Sequence, residues 1–80
     1  MGANELYNQI VSVTEEYLGP AAGRFIDRII DFHLHKIPSK VSPDDIPKLS
    51  EWVKVSLGLL TDDKRLVDEC EQKILKLAGH

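Results

Sequence analysis

The side chains able to do chemistry in this 80-residue chain are three histidines, one cysteine, five serines and a few adjacent acid pairs. Their spacing decides what they can do together. His33 and His35 are two residues apart in a helical stretch, so they point to roughly opposite sides and cannot share one metal ion. Asp27, Asp31 and His35 recur every four residues on one face, a set compatible with a metal. Arg24 and Arg28 stand among them and offset the acids, so the expectation is a solvated, ion-paired face and no metal. His33 falls in the apolar arc of its segment and is expected as a mostly buried imidazole satisfied by one hydrogen bond; a pH-sensing role is the alternative.

Nucleophilic chemistry fares no better. Cys70 lies mid-helix on an inward stripe, where a cysteine acts as a small hydrophobe and not as an activated thiolate. Ser12, Ser39, Ser42, Ser50 and Ser56 have no glycine elbow around them, and Gly19 and Gly23 do not make a phosphate loop. The pairs Glu15-Glu16, Asp44-Asp45 and Asp62-Asp63 sit where helix dipoles and solvation alone would put acids. No catalytic residue and no cofactor is expected.

The elements that carry these residues follow from punctuation and periodicity. One segment runs over residues 4–18, with Leu6, Ile10, Val13 and Tyr17 on one face, and closes at Gly19-Pro20. A second covers 20–36 and stops at Ile37-Pro38, because the residue before proline is pushed out of the α region. Its wheel gathers Ala21, Ala22, Phe25, Ile26, Ile29, Ile30 and Ile37 in one half, which makes it the expected centre of the core. Ser42-Pro43-Asp44-Asp45 starts a short helical turn at 43–46, followed by a third segment over 47–60. Thr61-Asp62-Asp63 caps a fourth over 62–78, with Leu66, Cys70, Ile74 and Leu77 inward, Leu75 among charges and Gly79 just past its end. The prediction is one all-α domain spanning 1–80, a compact array of four main helices.

Composition bounds the partners. A 42% apolar and 29% charged chain is globular, and a net charge of −3 with interleaved signs argues against nucleic acid and against a polybasic membrane patch. A helix-turn-helix reading meets the same objection, since Pro20-Ala21-Ala22-Gly23 and Asp62-Asp63 follow the two tight turns where basic or amide side chains are needed. No run approaches the ~18 apolar residues of a membrane span. The polar MGANEL start has no signal-peptide pattern and has Leu6 where myristoylation needs Ser or Thr. With one cysteine and no possible intrachain disulfide, the expected compartment is the cytoplasm.

The third segment has more apolar residues than a single buried face uses. Leu49, Val53, Leu57 and Leu60 form one stripe, and Trp52, Val55 and Leu59 form another. The second stripe needs a partner, inside the chain or on another one. Candidate contact residues are therefore Trp52, Val55 and Leu59, with Tyr7, Val11 and Leu75 as secondary ones. Tyr17-Leu18-Gly19-Pro20-Ala21-Ala22, with Ser42-Pro43-Asp44-Asp45-Ile46 later, resembles a small helical domain of unknown function appended to bacterial signalling proteins such as serine/threonine kinases and cyclases. That resemblance implies a bacterial cytoplasmic accessory module without catalysis of its own. The expected function is protein–protein docking, either onto a larger signalling protein or as a homodimer. The alternative is a helical bundle whose apolar excess lines a cavity for a small ligand or lipid, and a third reading consumes the second stripe in packing.

Overall fold

The computed structural model describes residues 5–78, all of whose regular structure is helical. Helix α1 (Glu5–Leu18) is followed by a 3-10 turn at Gly19–Ala21 and by α2 (Ala22–Ile29), which runs on into a π turn at Ile30–Leu34. After 3-10 turns at Pro38–Lys40 and Pro43–Asp45 come α3 (Ile46–Leu60) and α4 (Lys64–Lys76). The four expected segments are all helical. Counted by continuous helical chain there are three, because the first two are joined through the turn at Gly19 and the turn at Pro43 runs straight into α3. Asn4, Gly79 and the Met1-Gly2 start lie outside the described residues.

Gly19 makes the first corner. Its φ of +64° lies in the left-handed region that glycine enters without steric cost. Pro20 then opens the next turn with its fixed φ. Tyr7, near the start of α1, donates its hydroxyl to Asp27 near the end of α2, so the two helices run antiparallel. A Cβ at Gly19 would meet nothing within 4 Å, so the cost of adding one is conformational and not steric crowding. Gly19→Val should therefore lower stability by about 1–2 kcal/mol, read from urea unfolding. A loss within ~0.5 kcal/mol would show that the corner does not depend on a left-handed residue.

The second helical stretch ends earlier than its proline predicts. The π turn admits one more residue than an α turn, and His35 closes it with φ 55° and its N–H bonded to the Ile30 carbonyl, to which Lys36 N–H also donates at 3.3 Å. Ile37, placed by its wheel position with the core, is consequently outside the helix and 59% exposed. Lys36 instead grips Asp45 through both carboxylate oxygens at 2.9 and 2.8 Å, and Asp45 also accepts from the Ser42 N–H at 3.0 Å. Partial burial raises the Asp45 pKa, but these donors outweigh it and hold the carboxyl below its usual value. The connection between α2 and α3 is thus fastened at both ends.

At the last corner Thr61 is extended, and Asp63 caps α4 by accepting from the N–H groups of Arg65 and Leu66 at 3.1 and 3.2 Å. The helix begins at Lys64, not at Asp62, since the cap residue itself stays non-helical. Ile10, Ile26, Ile30, Leu49, Val53 and Leu57 meet Cys70 and Ile74 in one core. Thr14 is buried with them and returns its hydroxyl to the Ile10 carbonyl at 2.8 Å. The Cα radius of gyration is 11.4 Å, which is what a packed domain of this length gives. Lys54–Glu71 at 3.8 Å and Lys73–Glu16 at 2.7 Å tie α4 across to α3 and α1.

Candidate functional site

The residue types that suggested chemistry are not gathered by the fold. Arg24, Asp27, Arg28, Asp31 and His35 are all exposed, and no ion pair joins them. Among the described residues no three histidine, cysteine or acidic side chains come together as a metal site. Cys70 is fully buried, and burial pushes its thiol up to about 11. A neutral buried thiol contributes stability below the unfolded pKa near 9, and that contribution is lost as pH rises towards 11. Labelling of Cys70 by a thiol reagent at neutral pH should consequently track global unfolding. Rapid labelling of the native chain would contradict the burial.

The second stripe of α3 is divided between two fates. Trp52 is half-buried and stacks on His33, with ring centroids 3.6 Å apart and planes 9° from parallel. The His33 ring has no hydrogen-bond partner among the described residues and lies instead against the indole, where its apolar arc position suggested a buried hydrogen bond. Val55 and Leu59 remain 49% and 84% exposed. Tyr7, Val11 and Leu75 are half-buried and pack against the core instead of joining these two. The Tyr7 hydroxyl is moreover engaged by Asp27, and its pKa is raised by burial and by that carboxylate.

The first stripe departs from expectation at its last residue. Leu49, Val53 and Leu57 are fully buried, whereas Leu60 is 65% exposed. The extended Thr61 swings the chain away before α4 begins, so the final turn of α3 runs past the cover that α4 provides. Across from it stands Phe32, 63% exposed, carried outward on the π turn. Between them lies an open groove of about 470 Å³. Phe25, Ile29 and Phe32 form one wall and Ser56, Leu59 and Leu60 the other, with Arg28 and His33 also lining it.

Sequence reasoning found Leu59 and missed Phe32 and Leu60 at this site. Phe25 and Phe32 are seven residues apart, which puts them about 20° from each other on a helical wheel. An aromatic pair on the flank of an isoleucine-rich arc was the available signal. Leu60 gave none, since its exposure depends on where α4 turns back.

No protein-family model, no curated protein and no solved structure matches this chain. No helix among the described residues is long and apolar enough to cross a membrane.

Proposed function

We propose that the protein is a non-enzymatic docking module and that the groove between the π turn and the end of α3 receives a segment of another protein chain. One observation carries the reading. Phe32, Leu59 and Leu60 are 63%, 84% and 65% exposed around a single concavity, in a chain whose other large aliphatic residues are mostly in or against the core. Apolar side chains scattered singly on a surface mean little, but a contiguous patch of this kind marks a contact site. A cytoplasmic accessory role beside a larger bacterial signalling protein is the setting that the resemblance of the Gly19-Pro20 region implies.

A photo-crosslinking residue at Leu60 tests the reading in cells that express the protein, with the same residue at the exposed Glu69 of α4 as control. Protein adducts from position 60 and none from 69 are expected. Equal adducts, or none from either, would remove the groove as a docking site. A second reading rests on the groove's volume, which falls in the range of small-ligand sites, and on Arg28, whose guanidinium suits the carboxylate of an acyl chain. Mass spectrometry of the native protein would then find a lipid-sized adduct that Leu60→Glu abolishes.

A further inference from the structure

We propose that the occupant of the groove is a second copy of this chain, related by a twofold axis that places the corner from Leu59 to Asp62 of each protomer in the groove of the other. The proposal rests on the docking reading and names its partner. A twofold interface must be self-complementary, so the same patch has to contain both the projection and the recess. This patch does. Leu59 lines the groove and is nevertheless 84% exposed, so most of its side chain stands clear of its own protomer, and Leu60 beside it is 65% exposed. Both are aliphatic knobs of the kind that aromatic walls such as Phe25 and Phe32 accept.

Charge supports the same pairing. Arg28 is the one ionised side chain lining the groove, and it forms no salt bridge among the described residues. Asp62 is an exposed carboxylate two positions beyond Leu60, and it likewise has no ion-pair partner among them. An apolar pair followed closely by an acid is the complement that an apolar recess with one arginine calls for, and the chain carries both halves. Across a twofold axis the Arg28–Asp62 pair forms twice.

The area is adequate for reversible association. Phe32, Leu59 and Leu60, the exposed apolar residues that line the groove, together expose on the order of 400 Å² of apolar side chain. A standard interface takes about 800 Å² from each partner, roughly 15% of this chain's 5231 Å² surface. Polar rim atoms supply the remainder, and the affinity is set by how well these apolar anchors pack and not by the area.

The test is sedimentation equilibrium of the full chain from about 1 μM to about 1 mM, a span that covers reversible association of about −8 to −4 kcal/mol. The wild-type chain is expected to pass from monomer to dimer. Arg28→Asp and Asp62→Arg, both at exposed positions and checked for unchanged circular dichroism, should each weaken self-association by about tenfold or more. Mixing the two variants should restore dimerisation, because the twofold arrangement then meets an opposite charge at both ends. Dimers of the wild type without recovery in the mixture would overturn this geometry. A chain that stays monomeric throughout overturns the second copy as occupant, and the crosslinks from Leu60 then separate the cases. Adducts to a different protein leave the docking reading standing, whereas no adducts remove both.

Discussion

Changing Val55 and Leu59 together to glutamate should leave the helical circular dichroism and the cooperativity of unfolding nearly intact while weakening association by about a hundredfold or more. The two positions are 49% and 84% exposed, so both carboxylates stay hydrated in the free chain. In the complex the glutamate at position 59 would have to be desolvated against apolar walls whose one arginine, Arg28, is taken up by Asp62 of the other copy. The glutamate at position 55 would add like charge beside it, and interface anchors carry most of the binding energy. Circular dichroism and sedimentation on the one variant read both halves of the expectation. An unfolded chain would mean that these side chains are interior, and the docking surface would not exist.

Two residues before Leu59 the opposite result is expected. Leu57 is fully buried in the core where α3 faces α4. Leu57→Ala removes three buried carbons and leaves a cavity, at a cost of about 3 kcal/mol. A domain of this length has only ~4–12 kcal/mol in total, so the midpoint of thermal unfolding should fall by about 15 °C. Leu59→Ala is the companion measurement and should move it by no more than ~3 °C. A fall of less than ~5 °C for Leu57→Ala would contradict the packing of α3 on α4.

The contrast between those two leucines also marks how far the sequence can be read. The inward stripe Leu49, Val53, Leu57 and the start signals at Ser42-Pro43 and Thr61-Asp62-Asp63 are local, since period and capping act within a few residues. They gave helix and phase correctly. Gly19 was equally legible because its role depends on its own φ. What depends on the distance to another element was not. Leu60 is exposed because α4 turns back too far away to cover it, and Trp52 is half-buried because the π turn presents His33 to it. The π turn itself has no signature in a wheel that assumes a constant 100° per residue, so the wheel could set Phe32 beside Phe25 on the flank of the isoleucine arc but not show how far it is exposed. The candidate site is composed mainly of such residues, which is why it was half visible through Leu59 and half hidden.

The π turn has one more consequence. It and the last turn of α3 are the ends of their helices, and the groove's two walls stand on them. Helix ends open more readily than helix centres, because fewer neighbours and fewer backbone hydrogen bonds close them. The groove is thus a balance of populations as much as a shape. Whatever occupies it touches both ends and must supply the free energy of holding them still, so amide-exchange protection at residues 30–36 and 57–61 should rise with occupancy. Recognition and local folding at this corner are then one equilibrium seen from two sides.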